Sequence, residues 1–150
     1  MDTSLKILVK VKILRQGVSL PAYMTPNAAG MDIFAAIEKP VDLLPGDIVL
    51  IPTGIAIALP PGFEAQIRPR SGLAIKHGIT LINSPGTIDQ DYRGEIKVAI
   101  INFGKKPYRI FPGDRIAQLI VSPIVKVKWE VVTELPPSKR AKGGFGHTGR

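Results

Sequence analysis

Ile79-Thr80-Leu81-Ile82-Asn83-Ser84-Pro85-Gly86-Thr87-Ile88-Asp89-Gln90-Asp91-Tyr92-Arg93-Gly94-Glu95-Ile96-Lys97-Val98-Ala99-Ile100-Ile101 is the stretch on which the reading of the whole chain turns. The apolar runs Ile79 to Ile82 and Ile96 to Ile101 are β-rich and are joined by Pro, Gly and spaced carboxylates, which predicts a long hairpin. A connection that only had to turn would be shorter and would not gather Asn83, Asp89, Asp91 and Tyr92. A two-residue period places Asp89 and Asp91 on one side of an extended strand and Tyr92 on the other. A polar loop tip is the plainer alternative, but the crowding of these groups points to a site.

Just upstream, Arg70-Ser71-Gly72-Leu73-Ala74-Ile75-Lys76-His77-Gly78 is the one place that reads as helical, with Ser71 as a suitable N-cap and Gly78 as a stop. A helix start offers backbone N–H groups to an anion, and Arg70 adds a planar donor fork. A purely structural short helix accounts for the same residues. His77 reads as a packing residue.

Further out, short apolar runs are punctuated by Pro and Gly throughout. Leu5 to Leu14 alternates Val9, Val11 and Ile13 with lysines and predicts a strand with one wet face. Ala28 to Ala36 is an apolar strand carrying a single carboxylate, Asp32, which needs a partner if buried and caps a turn after Gly30 if not. Ile48 to Ile51, Ile55 to Leu59, Phe63 to Arg68, Tyr108 to Phe111 and Gly113 to Ile120 continue the pattern. Leu44-Pro45-Gly46-Asp47 and Phe111-Pro112-Gly113-Asp114 carry type I or II turn signals. Val125, Val127, Trp129 and Val131 alternate with Lys126, Lys128 and Glu130 and predict one more half-buried strand. Many short strands with steady punctuation indicate an all-β fold, a jelly-roll barrel or sandwich with one short helix. Residues 1–135 form that domain. Residues 136–150 are basic and glycine-rich with the lone aromatic Phe145, and predict a flexible C-terminal lid segment of the same domain.

The 150 residues suit one domain with a conventional core. Cysteine is absent, which excludes disulfides and thiolate metal sites, and no apolar run is long enough to span a bilayer. Met1 to Ser4 lack the basic head of a signal peptide, so the expectation is a soluble cytoplasmic protein with no membrane partner. The net charge of +8 sits at the ends: Lys6, Lys10, Lys12 and Arg15 against Asp2 give +3, and Lys139, Arg140, Lys142 and Arg150 give +4. The nearly neutral body argues against a broad nucleic-acid face, and no stable nucleic-acid partner is expected.

Five segments in order resemble the motifs of the trimeric dUTP nucleotidohydrolases, the dUTPases. Ala-Gly-Met-Asp-Ile-Phe-Ala around Asp32 is similar to the first, Pro-Arg-Ser-Gly-Leu-Ala-Ile-Lys-His-Gly to the second, and Gly-Thr-Ile-Asp-Gln-Asp-Tyr-Arg-Gly-Glu to the third. Gly113 to Ile120 is similar to the fourth and the tail to the fifth, with His147 where the family usually has Ser. The resemblance spans residues 29–149. It implies a jelly-roll homotrimer with shared active sites that hydrolyses dUTP to dUMP and pyrophosphate, keeping uracil out of DNA and supplying dUMP for dTMP synthesis. Asp89 would be the catalytic residue, orienting water toward the α-phosphorus; carboxylates are ionised at neutral pH and serve as weak bases.

The same resemblance gives the other roles. Asn83, with Gly86, Thr87 and Ile88 of the hairpin backbone, would read uracil; Tyr92 would face the deoxyribose; Lys97 would also contact substrate. Arg70, Ser71, Gly72 and Gln118 would hold phosphates. Arg140 would take the γ-phosphate while Phe145, beside Gly146, stacks on the base. Asp32, Asp114 and Arg115 would support the site. Mg²⁺ would be the cofactor, held through the triphosphate and water with no direct protein ligand. The tail would arrive from a neighbouring subunit, since about fourteen extended residues at ~3.3 Å each reach over ~40 Å. Two other readings are distinct: a dCTP deaminase, which carries a glutamate at the position matched by Ala99, and a non-catalytic jelly-roll module that binds anions through its basic ends.

Overall fold

The computed structural model describes residues 6–149. The expected strand start at Leu5, the Met1 to Ser4 segment with Asp2, and Arg150 lie outside the described residues.

Eleven strands and one helix are present among the described residues, in the order β1 (Lys10–Ile13), β2 (Met31–Phe34), β3 (Val41–Leu43), β4 (Ile48–Pro52), β5 (Ile55–Ala58), β6 (Phe63–Arg68), α1 (Ser71–His77), β7 (Ile79–Leu81), β8 (Gly86–Ile88), β9 (Lys97–Asn102), β10 (Tyr108–Ile110) and β11 (Arg115–Pro123). They make a four-stranded sheet β2-β11-β6-β8, a three-stranded sheet β4-β9-β7, and the two-stranded ladders β1-β5 and β10-β3. Every pairing between these strands is antiparallel. The all-β jelly-roll expectation holds, and the one helix is where it was expected.

One continuous core draws on every strand except β1, with Ile33, Leu43, Ile51, Ile55, Ile100 and Ile110 fully buried. Period-two alternation explains how β6 contributes: Ala65 and Ile67 face inward while Glu64, Gln66 and Arg68 form a hydrogen-bonded ladder on the outer face. The two Pro-Gly-Asp turns are built alike. Gly46 and Gly113 take φ of 89° and 81°, as a type II turn requires of its third residue. In each, the Asp side chain accepts the N–H of the first turn residue, Leu44 or Phe111, at 2.8 Å.

Asn102 ties several of these pieces together. Fully buried at the end of β9, its amide donates to the carbonyls of Leu43 and Lys106 and accepts the N–H of Gly104. Its backbone also closes onto the first turn, with Gly46 N–H donating to its carbonyl and its own N–H to Asp47. Next to it, His77 stacks at a tilt on Tyr108 with ring centroids 4.9 Å apart, in keeping with a packing role.

Four expectations are corrected. The first strand covers only Lys10–Ile13 of the expected Leu5 to Leu14, and all four of its residues are exposed, so the expected dry face is not formed. The short strand β3 after Pro40 was not expected. Ser71 is not the N-cap of α1: Arg70 holds that position at φ −90° and ψ 128°, and no side chain caps the helix. Residues 125–131 form no strand; with no partner beside them Val125, Trp129 and Val131 are 90%, 86% and 96% exposed. An apolar alternation specifies a strand only where another strand is present to pair with it.

Asn102→Ala leaves two carbonyls and one N–H without partners in a dry interior. A loss of about 3 kcal/mol is expected, read as a lower urea midpoint with unchanged slope.

Candidate active site

The hairpin from β7 to β9 opens into a cleft because its connection changes sheets. β7 pairs with β9, Leu81 opposite Ile100, whereas β8 crosses to β6, with Gly86 opposite Ile67 and Ile88 opposite Ala65. The gap left between the two sheets is a cleft of about 480 Å³, a size suited to a nucleotide-scale ligand. Asn83, Gly86, Thr87, Ile88, Asp89, Tyr92 and Lys97 all line it. Seven of the residues expected at the site are thus brought together by one crossing.

Local details explain the shape. Gly86 is needed where it stands, since a Cβ there would lie 3.1 Å from Asn83 Nδ2 and 3.5 Å from Ile67 Cβ. Asp89 follows β8 directly but does not continue it. Tyr92 N–H donates to the Asp89 carbonyl at 3.2 Å, closing a turn. The expected two-residue period holds only in part: Asp89 and Asp91 line one neighbouring hollow with Glu64, but Asp89 also faces the cleft, where the turn brings Tyr92 into the same cleft rather than to the opposite side. The Tyr92 ring lies against Gly94, and its hydroxyl donates to the Glu95 carbonyl at 3.0 Å.

Two carboxylates line the cleft, and they are not equivalent. Glu95 Oε1 accepts both terminal nitrogens of Arg15, at 2.7 and 2.6 Å, and the N–H of Gly54 at 2.9 Å. Asp89 is exposed, and among the described residues no ion pair or side-chain hydrogen bond engages its carboxylate. Ala99 also lines the cleft, so the position matched to the deaminase glutamate carries no acid.

A second cluster forms on the outer face of the four-stranded sheet. Asp32 and Gln118 are cross-strand partners, and Gln118 is also opposite Arg68. A β-bulge between Arg115 and Ala117 buries both Ile116 and Ala117, which turns Arg115 onto the same face as Asp32. There Arg115 Nη1 donates to Asp32 Oδ2 at 3.0 Å, and Arg70 Nε lies 3.6 Å from Oδ1. Arg70 Nη1 donates in addition to the Arg115 carbonyl at 3.0 Å. The half-buried carboxylate has its partners, two of them.

Gln118 donates to the Pro69 carbonyl at 3.0 Å just before α1, and Gly30 makes room for it, since a Cβ there would sit 2.6 Å from Gln118 Oε1. Ser71 and Gly72 lie exposed at the helix start. Asp114 belongs to the turn before β11 and binds Phe111 N–H. The tail residues are apart from both clusters. Arg140 donates to the Gly143 carbonyl, and the hydrogen bonds of residues 138–149 are all local. Phe145 stands wholly exposed at φ 48°.

The dUTPase family model matches residues 16–149. The chain belongs to the dUTPase family. A Desulfotalea psychrophila deoxyuridine 5'-triphosphate nucleotidohydrolase is 59% identical over 132 residues, 88% of each chain. A Rickettsia felis protein of the same description is 58% identical, covering 94% of this chain and 96% of that one. Among solved structures, a Staphylococcus bacteriophage 80alpha dUTPase mutant with dUpNHpp superposes with a TM-score of 0.87 at 27% identity, over 97% of this chain and all of that one. A phage phi11 dUTPase mutant, solved for the coordination of a structural Mg(II) ion, has a TM-score of 0.78 at 25% identity, over 87% of this chain and all of that one.

For a dUTPase-family chain the donor set bears on where Mg²⁺ would sit. Among the described residues no three His, Asp or Glu side chains are grouped as metal ligands. Of the acidic groups lining the cleft, Asp89 is the one whose carboxylate could take a place in the shell of a cation brought by a triphosphate, since Glu95 is held by Arg15. Sequence reasoning missed Glu95, Arg15 and the Ile116 bulge; only the Glu in Arg93-Gly94-Glu95 was a visible signal.

Arg70 and Arg115 share Asp32, so their effects should couple. Asp32→Ala and Arg115→Ala are each expected to cost about 1 kcal/mol in urea unfolding, these groups being part-exposed. The double variant is expected to lose less than the sum.

Proposed function

We propose that the chain hydrolyses dUTP to dUMP and pyrophosphate by attack of water on the α-phosphorus. The observation that carries this reading is Asp89, the one carboxylate of the nucleotide-sized cleft with no competing partner. Asp89 orients the attacking water and accepts its proton as the water oxygen bonds to the α-phosphorus and the bond from that phosphorus to the bridging oxygen breaks, releasing pyrophosphate. Asn83 and the Gly86 to Ile88 backbone read the uracil edge. A narrow crossing excludes the thymine methyl, and cytosine mismatches donors with acceptors. Tyr92 packs on the deoxyribose and leaves no room for a 2′-hydroxyl, while Lys97 adds a cation at the cleft.

Arg70, Ser71, Gly72 and Gln118 hold the phosphates, with Asp32 and Arg115 fixing the Arg70 fork and Asp114 holding the turn that leads into Arg115. Mg²⁺, when bound with the triphosphate, neutralises phosphate charge and fixes its conformation. Arg140, Phe145 and Gly146 close over the nucleotide as a lid formed by residues 136–150, the domain proper being residues 1–135. A cytoplasmic location belongs to the same reading, and the cysteine-free composition permits it. No helix among the described residues is long and apolar enough to cross a membrane.

The working form on this reading is a homotrimer with shared sites. Three observations support it. The cleft and the Asp32 cluster are separate in one chain, the tail meets neither, and the apolar side chains of residues 125–135 are bare. An alternating apolar segment of this kind is suited to pairing on another copy. A deaminase is disfavoured, since Ala99 offers no proton carrier at the matched position.

Asp89→Asn is expected to lower kcat for dUTP by about 10²- to 10⁴-fold, with the affinity for a non-hydrolysable dUTP analogue kept within about threefold. Turnover at the unsubstituted rate removes Asp89 from the mechanism. Sedimentation equilibrium is expected to give three times the 16.2 kDa chain mass. Replacing Trp129 and Val131 by Ser is expected to shift the protein toward monomer and to lower activity with it.

A further inference from the structure

Arg15 stands 80 residues from Glu95 in sequence, on the loop after β1, and has no place in the roles described so far. Its two terminal nitrogens converge on Glu95 Oε1, the oxygen that also accepts Gly54 N–H. The backbone around Arg15 is held by the same glycine, because Leu14 N–H donates to the Gly54 carbonyl at 2.8 Å. Gly54 is fixed in turn. It takes φ of 73°, and a side chain there would run into Val18 and Ala36. Beside this ring, Thr53 donates through both its N–H and its hydroxyl to the Ile96 carbonyl, and Ile96 N–H donates to Ile55.

Glu95 is therefore gripped by its side chain from Arg15 and Gly54, and its neighbour Ile96 is gripped by its backbone. The Glu95 carbonyl is what the Tyr92 hydroxyl donates to, and Tyr92 N–H in turn donates to Asp89. An unbroken line of hydrogen bonds runs from Arg15 through Glu95 to Tyr92 and on to the turn that carries Asp89. We infer that Arg15 and Glu95 form a latch that positions the Tyr92 ring, making Arg15 a positioning residue for discrimination between deoxyribose and ribose. Arg15 does not line the cleft itself; it reaches only the cleft-lining Glu95. Its effect passes through Glu95 alone.

The fork geometry matters. A guanidinium places two donors on one oxygen in a fixed plane, whereas an ammonium offers a single mobile point charge. An ion pair with Arg15 40% and Glu95 18% exposed contributes little to global stability. Its consequence is local order in residues 92–95.

The inference rests on the proposed reading of Tyr92, and the experiment separates the two. The ratio of kcat/KM for dUTP to that for UTP is measured for the unsubstituted protein, Arg15→Ala, Arg15→Lys, Glu95→Gln and Gly94→Ala. A Cβ on Gly94 would overlap the Tyr92 hydroxyl, so Gly94→Ala displaces the ring directly and sets the scale. Arg15→Ala is expected to lower the ratio about tenfold, with kcat for dUTP unchanged and the loss appearing as a higher KM for dUTP and a lower one for UTP. Arg15→Lys falls between, and Glu95→Gln lowers the ratio as well. If Gly94→Ala lowers the ratio while Arg15→Ala and Glu95→Gln leave it intact, the latch is overturned and Tyr92 stands. If Gly94→Ala leaves it intact, the sugar-reading role of Tyr92 fails and the latch with it.

Discussion

The structure depends on a single change of partner. β7 and β8 are four residues apart along the chain, yet β7 pairs with β9 in one sheet and β8 with β6 in the other. Buried Ile88 and Gly86 hold β8 in place against Ala65 and Ile67, and buried Leu81 holds β7 against Ile100. Because backbone pairing on both sides is satisfied, the chain between them cannot close the gap, and the cleft is the unavoidable result. Polar residues that would be an odd choice for a plain hairpin tip become the wall of a pocket.

The two clusters differ in character. The cleft mixes apolar strand residues such as Ile67, Leu81 and Val98 with the polar groups of Asn83, Thr87, Asp89, Tyr92, Glu95 and Lys97. On the outer sheet face, Asp32 offsets Arg70 and Arg115 only in part, so that cluster keeps a net positive charge, as the proposed phosphate-holding role requires. Neither cluster is closed from water in one chain, since Asn83, Asp89 and Tyr92 are all exposed. On the proposed reading a lid limits bulk water around the phosphates, a role given to the glycine-rich tail with its single phenylalanine.

Much of this was legible in the amino-acid order because the signals were local. Pro-Gly-Asp marked two turns whose glycines take positive φ, Gly78 marked the end of α1, and a lone carboxylate in an apolar strand announced that Asp32 had partners. Seven of the residues expected at the site line the one cleft, for they lie within a single fifteen-residue stretch from Asn83 to Lys97. What escaped depends on long-range pairing. The crossing of β8, the bulge at Ile116 and the meeting of Arg15 with Glu95 leave no periodic trace. The period-two alternation of Val125 to Val131 was visible, but no strand among the described residues pairs with it.

The claim that water, aimed by a lone carboxylate, attacks the α-phosphorus is tested most directly by following the oxygen. dUTP turned over in ¹⁸O-labelled water, with the products separated and weighed by mass spectrometry, is expected to place the label in dUMP and leave the pyrophosphate unlabelled. Label in the pyrophosphate, or dUTP recovered intact, contradicts the account.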